Sequence, residues 1–407
     1  MIASLGSAFV FLLNAALALV VGFVLVRWRH EQPVSALPSE RFFGAIRVGM
    51  QHIRQSPTML AVLLRITVFF LQSMGLLALL PLVARQLQDG GAGTYTVLLA
   101  SIGTGAIVTA LFLPRLRQLM TRDELVRNGT ILYSIASLGA AFAPNLYLAL
   151  PAMLAAGAAW ISVANSLSVA AQMALPDWVR ARGMSAYQMS MMGGSALGAA
   201  IWGQIASLSS VRISLVAAAV AGVVGLLATR RFKVGGRTEE DLTPTRLWKE
   251  PAVAIPFEQS RGPVLVTVEY RIDPEQAAEF NAIMRESRRV WLQNGLLAWE
   301  LFRDTADPGR YIEYFVDESW VEYRRRNDRV TAYHVALREK KTAMHIGENP
   351  PRGVPLHRGT GHARLTQQLR GGSVKARDFA AALRKEVEQW SEHCMSSLVT
   401  GATTAAA

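Results

Sequence analysis

The sequence lacks cysteine pairs, and long parts of it lack any charged residue. Its 407 residues include one cysteine, Cys394, which excludes an internal disulfide framework and any cysteine-rich metal site. Charged residues make up 18% of the chain and hydrophobic residues 51%, with a mean hydropathy of +0.24. These values are high for a soluble protein and ordinary for a chain that lies half in a membrane.

Charge is absent from long stretches before residue 229, namely 1–26, 66–84, 90–114, 128–176, 183–211 and 213–229. A helix needs roughly 20 apolar residues to cross a hydrocarbon core about 30 Å thick. The stretch 128–176 is long enough for two spans, and the turn signal Pro144-Asn145 divides it. The sequence therefore predicts an all-α polytopic membrane domain with seven transmembrane helices, near 5–26, 61–84, 94–114, 125–143, 147–173, 186–207 and 211–229.

The arginines alternate from one connection to the next. Segments after the first, third, fifth and seventh predicted spans are rich in arginine, whereas the others hold Arg85, no arginine and Arg212. Cytoplasmic loops are enriched in Lys and Arg, so the pattern predicts an N-terminus outside and a cytoplasmic chain after Thr229. A signal peptide is one alternative for residues 1–26, but it lacks a positive segment after Met1 and a small-residue cleavage site before Arg27.

Basic residues outnumber acidic ones by 42 to 30, which gives a net charge of +12. Much of the excess lies in the predicted cytoplasmic loops and tail, so we expect the anionic inner leaflet of the lipid bilayer to be the partner surface. Nucleic-acid binding is the competing explanation for a basic chain, but no basic patch with interleaved aromatic residues stands apart from the membrane pattern. We expect no nucleic acid partner, no cofactor and no metal.

The composition changes after Arg230. Residues 234–262 are polar, contain Gly and Pro, and are predicted to be a linker between a membrane domain at 1–233 and a soluble domain at 263–365. The final residues, 366–407, are predicted to hold an amphipathic helix at 375–393 and a disordered tail.

The soluble domain shows strand and helix signals in a definite order. Strands are predicted at 264–272, 297–304, 310–317 and 354–362. One helix is predicted from Asp273 to Gln293, ended by Asn294-Gly295, and a second runs from a cap near Ser319 to Ala343. The order β-α-β-β-α-β predicts a cytoplasmic α+β ferredoxin-like domain.

Three segments of the membrane part resemble a known family. They are FLLNAALALVVGFVLVRWR at 11–29, ERFFGAIRVGMQHIRQSPTMLAVLLR at 40–65 and LPDWVRARGMSAYQMSMMGGSALGAAIWG at 175–203. They resemble the C-terminal portion of a major facilitator superfamily transporter of the enterobactin-exporter-like branch, the transmembrane secretion effectors. Residues 264–304 resemble the antibiotic-biosynthesis-monooxygenase-like domain appended to some members of that branch.

The resemblance implies secondary transport in the inner (plasma) membrane of a bacterium. It identifies the predicted spans with helices six to twelve of a twelve-helix fold whose small-molecule substrate site lies between two halves. Nearly all of the first half is then missing, and we expect a gene fragment, a misassigned start codon or a second chain that supplies that half. The leading expectation is efflux of a siderophore, drug or secondary metabolite by alternating access, and one alternative is a non-functional fragment.

Polar residues within the spans are the candidates for substrate contact. No Asp, Glu, Lys, Arg or His lies deep in a predicted span, so an acidic residue for proton coupling is expected outside this chain. The candidates for the cavity wall are Gln72, Asn165, Asn14, Gln172 and Gln188, with Gln72 and Asn165 preferred. The alternative is that each residue bonds a neighbouring helix, which is common in membrane proteins.

The resemblance also suggests gating residues near two of the arginine-rich loops. Arg115, Arg117, Arg122 and Asp123 occupy the loop that corresponds to the family's cytoplasmic gating motif, although the characteristic Gly-Asp-Arg-Gly order is missing. Further gating candidates lie in the loop before the sixth span, at Asp177, Arg180 and Arg182. Gly194 and Gly198 form a GxxxG pattern that predicts close helix packing.

The soluble domain offers a second function class. Domains that it resembles include cofactor-free oxygenases with a pocket under the sheet, and the residues available here are Asn281, Trp291, Trp299, Tyr314, His334 and His345. No pair of them has a spacing that defines a catalytic site, so we predict no enzyme activity and favour binding or homodimer formation. A membrane-tethered monooxygenase-like or ligand-binding domain is the alternative to transport.

Overall fold

The computed structural model describes residues 2–28, 37–38, 40–87, 92–235, 243, 245, 259–260 and 262–357. The chain divides after residue 39 into two units. The first unit contains helix α1, Ile2–Arg27, whose described side chains are exposed. The predicted amphipathic helix at 375–393 and most of the predicted linker lie outside the described residues.

The second unit begins with a bundle of long helices. They are α3 (Pro57–Gln86), α4 (Ala92–Leu119), α5 (Arg122–Phe142), α6 (Leu146–Met173), α7 (Asp177–Leu208) and α8 (Val211–Thr229). Together with α1 they supply a helix at each predicted span. Four helices in the described part of the chain are long and apolar enough to cross a membrane: Pro57–Gln86, Gly93–Leu119, Leu146–Met173 and Val211–Thr229. Membrane placement of α1, α5 and α7 stays a prediction.

A shorter helix, α2 (Phe42–Gln55), precedes the bundle. One residue, Ser56, separates α2 from α3, and its hydroxyl accepts a hydrogen bond from the backbone N–H of Met59 (3.3 Å). A serine cap followed by Pro57 at the first helical position is a strong helix start. This start fixes the junction at which α2 turns into the apolar α3.

Glycines allow α7 to approach α3 closely in the bundle. A Cβ added at Gly194 or Gly198 of α7 would lie 2.6 Å from the carbonyl oxygen of Thr67 or 2.3 Å from that of Leu71, both on α3. Because only a residue without Cβ permits this approach, the two backbones nearly touch. The Trp202 indole N–H then donates to the Leu71 carbonyl (2.6 Å).

Contacts between helix ends show which connections share one end of the bundle. Near one end, Asp123 at the start of α5 contacts Arg65 of α3 and the chain just beyond α8. At the other end, Arg212 donates to the carbonyl of Ala141, close to the predicted Pro144 turn. The connections after α4, α6 and α8, which are predicted to be rich in arginine, therefore lie together, and we call this side the arginine-rich end.

Residues 262–357 of the second unit contain a four-stranded antiparallel sheet with helices, and we use the name C-terminal domain for this part of the unit. Its elements are β1 (Val264–Arg271), α9 (Ala277–Gln293), β2 (Ala298–Arg303), β3 (Arg310–Asp317), α10 (Trp320–Asp328), α11 (Ala332–Ala343) and β4 (Gly353–His357). The sheet order is β2-β3-β1-β4. Side chains on one face of β1 pack with α9 residues in a core that includes Val266 and Phe280.

The predicted single helix from Ser319 to Ala343 is wrong, because two helices form with a break at 329–331. Ser319 caps α10 by accepting from the N–H of Glu322 (3.3 Å), as predicted. Thr331 starts α11 afresh, with its hydroxyl and backbone N–H against His334 Nδ1. The break lets Val330 enter the domain core and turns Arg329 toward the bundle, so tertiary packing overrides the helical pattern.

Candidate functional site at the arginine-rich end

Gln72 lies in a helix–helix contact. It is 1% exposed, and its side-chain amide donates to the Ser134 hydroxyl on α5 (2.7 Å). The amide also fills the space over Gly222 of α8, where a Cβ would lie 1.9 Å from its carbon. At the adjacent positions of the same two helices, the Tyr133 hydroxyl donates to the Ser73 carbonyl (2.8 Å). Gln72 thus ties α3, α5 and α8 together, and its role in substrate contact stays a prediction.

The other predicted substrate residues are more accessible. Asn165 on α6 is half-buried and accepts a hydrogen bond from Arg117, so two predicted residues from different groups meet near the arginine-rich end. Gln172 is exposed and donates to the Ser168 hydroxyl on its own helix (3.3 Å). Gln188 is exposed on α7, and Asn14 is exposed on α1 in the separate first unit. These positions leave the predicted cavity wall untested.

Asp123 forms a clasp between three segments of the chain. Its Oδ1 accepts from Nη1 of Arg65 (2.6 Å) and from the backbone N–H of Val234 (3.1 Å), and its Oδ2 accepts from that of Gly235 (3.0 Å). Arg65 is a charged residue on α3, a helix apolar enough to cross a membrane, and only 8% of its side chain is exposed. A charge removed from water in this way needs a partner, and Asp123 supplies it. We call this set, Arg65, Asp123, Val234 and Gly235, the Asp123 clasp.

The remaining gating candidates differ in their contacts. Arg115 is exposed, and Arg122 donates to the Met173 sulfur (2.8 Å), which joins the start of α5 to the end of α6. Asp177 and Arg180 form an exposed ion pair within one turn of α7 (2.6 Å). The side chain of Arg182 instead extends away from α7 and pairs with Glu40 (2.5 Å). A gating role for all of these residues stays a prediction.

Glu40 joins the bundle to the C-terminal domain. One carboxylate oxygen accepts from Arg182 of α7, and the other accepts from Arg329 (2.6 Å), with Arg325 at 3.7 Å. Burial raises the pKa of Glu40, but hydrogen bonds and charges of Arg182 and Arg329 outweigh it and hold the pKa below its ordinary value. The carboxylate is therefore ionised at neutral pH and bridges two guanidinium groups, one from α7 and one from the segment after α10.

The α2 helix forms the rest of this junction. His52 is buried, with Nδ1 3.2 Å from the Gln293 carbonyl and its ring edge-on to Trp178 (5.3 Å between centroids). The guanidinium of Arg329 lies 4.3 Å from the centre of the same Trp178 ring, within the range of a cation–π contact. Burial lowers the pKa of His52 to about 4 despite the Gln293 contact, so the ring is neutral at pH 7.

Two further contacts extend the junction along α2. Gln51 donates to the Leu296 carbonyl (2.8 Å), and Arg47 pairs with Glu318 (2.8 Å). Gly295, with a φ of +102°, packs so closely on Val48 that a Cβ would lie 2.9 Å from a valine methyl. The predicted helix stop at Asn294-Gly295 is thus also a docking surface. We call the contacts of Glu40 and α2 with the C-terminal domain the docking junction.

Sequence reasoning missed the docking junction. Its residues are separated by more than 100 positions along the chain, as for Glu40 with Arg182 and with Arg329. One signal was available, because Glu40 is one of few acidic residues in an arginine-rich connection. Arg65, a lone charge near the start of an apolar helix, was the corresponding signal for the Asp123 clasp.

A pocket in the C-terminal domain contains a buried ion pair. Lys341 on α11 lies 3.1 Å from Glu313 of β3, and the same carboxylate accepts from the Tyr270 hydroxyl and the Trp299 indole (2.8 Å each). Burial and the Glu313 charge raise the pKa of Tyr270 well above its ordinary value. A small cavity of about 40 Å³ adjoins this cluster, with Trp291, Phe315 and His334 among the lining residues.

The residues predicted for an oxygenase-like site are only partly brought together. Trp291 and His334 line the pocket, and Trp299 contacts its ion pair. Tyr314 instead stacks on Phe302 on another face of the sheet. His345 lies beyond the end of α11, where its ring accepts from the N–H of Arg271 (2.9 Å). Among the described residues, no group of three or more His, Cys, Asp or Glu is arranged to hold a metal ion.

Comparisons with curated proteins and with solved structures add little about this protein. A search of curated proteins found no match. A similar solved structure is the putative antibiotic biosynthesis monooxygenase from Nitrosomonas europaea, 14% identical, covering 27% of this chain and 100% of its own, with a TM-score of 0.23. A likeness at that TM-score carries no argument about the C-terminal domain.

The profile of a protein family, by contrast, matches residues 1–357. That family is described as transmembrane secretion effector and belongs to the major facilitator superfamily of membrane transporters. The match extends over most of the chain, including the bundle with its four membrane-length helices and the Asp123 clasp. This protein therefore belongs to the transmembrane secretion effector family.

Proposed function

We propose that the protein exports a small organic molecule, such as a siderophore, drug or secondary metabolite, by alternating access. Family membership supports a transport or efflux role, and the Asp123 clasp carries the mechanistic part of the proposal. One carboxylate joins the starts of α3 and α5 to the chain after α8, so the clasp holds three segments together at one end of the bundle. Breaking and re-forming such a contact is a two-state event of the kind that opening and closing requires.

We propose that the arginine-rich end faces the cytoplasm of a bacterium and that α1 begins outside its plasma membrane. The basis is the enrichment of Lys and Arg in cytoplasmic loops, together with the contacts that gather the arginine-rich connections on one side. The clasp would then act on the cytoplasmic side. A reporter that fluoresces only in the cytoplasm tests this orientation when it is fused after His357.

Accessibility separates the candidate substrate residues. Asn165, Gln172 and Gln188 are half-buried or exposed on α6 and α7, so we retain them as contacts for polar groups of a substrate. The Gln72 amide is occupied by Ser134 and by the packing against Gly222, which supports the helix-contact role. Asn14 is exposed on α1, and we retain it as a candidate for contact with a polar group of a substrate.

Efflux from cells tests the transport proposal. The full chain and its Asp123→Asn variant are produced in a bacterial strain that lacks its main efflux pumps, and loss of preloaded ethidium and of a catecholate siderophore is followed. We expect energy-dependent efflux of at least one probe, reduced roughly tenfold or more by Asp123→Asn at equal membrane abundance, because each loss of about 1.4 kcal/mol of stabilisation changes a rate by tenfold.

The matched control is Glu339→Gln, which removes an exposed carboxylate on α11. It should leave efflux unchanged. Efflux equal in the Asp123→Asn variant and the unmodified chain would remove the clasp from the mechanism. Retention of both probes by cells with the unmodified chain, at the level of cells without it, would count against export of these compound classes.

The pocket beside Lys341 favours a second function, ligand binding by the C-terminal domain. We propose a ferredoxin-like arrangement for this domain, supported by its strand order, and a binding role in place of catalysis. Purified full chain is titrated with a naphthol under air. The binding signal is quenching of tryptophan fluorescence that a Trp291→Phe variant lacks, and the catalytic signal is oxidised product. Quenching without product supports binding, and product formation overturns the non-enzymatic assignment.

We also propose that two chains pair through the outer face of this sheet. Phe302, Val354 and Leu356 are exposed there, and Tyr314 lies beside Phe302. Exposed apolar side chains that share one face of a sheet can form an interface. A Phe302→Glu variant is expected to turn a dimer into a monomer in size-exclusion chromatography with light scattering, and an unchanged mass would contradict the pairing.

A further inference from the structure

The α2 helix carries an apolar stripe that faces away from the protein. Phe42, Phe43, Ile46 and Met50 are 71%, 83%, 50% and 45% exposed. At 3.6 residues per turn, Phe43, Ile46 and Met50 lie within roughly 60° of one another around the helix axis. Four large apolar side chains on one side of a 14-residue helix form a surface that water solvates poorly.

The other sides of α2 are occupied by protein. Val48 and His52 face the C-terminal domain through Gly295 and Gln293. Gly49 touches the side chain of Arg182 on α7, and Ile53 belongs to the hydrophobic core of the bundle. The helix is therefore three-sided, with one side on the bundle, one on the C-terminal domain and one open.

Connectivity places the open side near a bilayer. Only Ser56 separates α2 from α3, and α3 is long and apolar enough to cross a membrane. Arg54 lies on the side of the stripe near the end of α2, and Arg41 precedes the helix. Arg47 lies beside the stripe and pairs with Glu318. The helix contains no acidic residue, so its charge suits an anionic lipid surface.

We propose that α2 lies in the interface of an anionic bilayer leaflet, with Phe42, Phe43, Ile46 and Met50 among the upper acyl chains. The same helix holds the C-terminal domain by its opposite side, so α2 seats that domain on the membrane surface next to the arginine-rich end. This inference requires α3 to cross the bilayer, as in the proposed function, but it is independent of which compound is transported.

Depth measurements on the full chain test the proposal. In a Cys394→Ser background, Phe43→Cys is labelled with the fluorophore NBD and reconstituted in vesicles of 70% phosphatidylcholine and 30% phosphatidylglycerol. A lipid with a nitroxide on carbon 5 of its acyl chain should quench the label several-fold more than aqueous iodide does. Met50→Cys, about two helical turns further along the same stripe, supplies a second position if Phe43→Cys does not fold.

The matched control is Ile346→Cys, because Ile346 is 68% exposed and lies in the C-terminal domain outside α2. Its label should show the reverse pattern, with strong iodide quenching. Iodide quenching of the labels at 43 and 50 equal to that at 346 would overturn the insertion of α2. Lipid quenching that is unchanged in vesicles of phosphatidylcholine alone would overturn the preference for anionic lipid. Neither readout depends on transport, so loss of efflux cannot imitate either result.

Discussion

At the scale of single residues, Asp123 shows how one carboxylate can hold several segments. We expect Asp123→Asn to lower the free energy of unfolding by about 2–3 kcal/mol, because Arg65 loses its counter-charge while 8% exposed, although Asp123 is itself 28% exposed. Thermal unfolding in detergent measures the change. Asp177→Asn removes an exposed pair at the same end and should cost about 0.5 kcal/mol or less, and equal losses in both variants would contradict the prediction.

His52 makes the docking junction sensitive to acid. Burial lowers its pKa from 6.5 to about 4, so the folded protein binds fewer protons than the unfolded chain between these values. Stability is therefore fully present above pH 6.5 and falls as the pH drops toward 4, by about 3 kcal/mol from this residue. Thermal unfolding across this range measures the loss.

Burial also lowers the pKa of His334 to about 4, so His334 contributes to the loss of stability over the same pH range. His52→Gln separates the two, because it removes the His52 share of the pH dependence and keeps the burial that is the largest cause of the lowered His334 pKa. A His52→Gln variant whose pH dependence equals that of the unmodified chain would contradict the assignment of the shift to His52.

At the scale of elements, neighbouring glycines on α7 have opposite surroundings. A Cβ at Gly198 would meet the Leu71 carbonyl of α3 at 2.3 Å, whereas nothing lies within 4 Å of one at Gly193. We expect Gly198→Ala to destabilise the bundle by about 1–3 kcal/mol, since two backbones must move apart. Gly193→Ala should be neutral or stabilising by up to about 1 kcal/mol, because alanine favours the helix.

Thermal unfolding of the two glycine variants in one detergent gives the comparison. The sign of the difference matters more than its size, since both substitutions add the same methyl group to the same helix. Similar melting temperatures for Gly198→Ala and Gly193→Ala would mean that α3 and α7 are not held in this close contact.

At the scale of the whole molecule, Glu40 is the charge that joins the C-terminal domain to the bundle. Glu40→Gln leaves Arg182 and Arg329 without their shared carboxylate. We expect amide hydrogen exchange in α9 and α10 of the full chain to quicken by roughly tenfold, the equivalent of about 1.4 kcal/mol. Mass spectrometry of the protein in lipid nanodiscs measures it.

Glu339→Gln is the control for this prediction, because its exposed carboxylate lies on α11 of the same domain. It should leave exchange in α9 and α10 unchanged. Faster exchange confined to residues 40–47 would show that Glu40 orders its own segment without holding the domain.

Local patterns predicted most of the elements, for reasons visible in particular residues. Charge-free stretches coincide with α3, α4, α6 and α8, because long apolar runs have few alternatives to a buried or membrane-spanning helix. Caps at Asn145, Ser210 and Ser319 begin helices where side-chain oxygens accept from backbone N–H groups. The break at 329–331 escaped prediction because it satisfies contacts of Val330 and Arg329 with distant parts of the chain.

The sequence by itself determined the apolar helices, the alternation of arginines and, after residue 263, the order of the four strands and of the first helix among them. These depend on side-chain chemistry repeated over neighbouring positions, which a linear pattern records. Only the tertiary structure decided which charges meet: Asp123 with Arg65, Glu40 with Arg182 and Arg329, and Lys341 with Glu313. A single carboxylate has many arginines available along the chain, and burial beside one of them selects the partner.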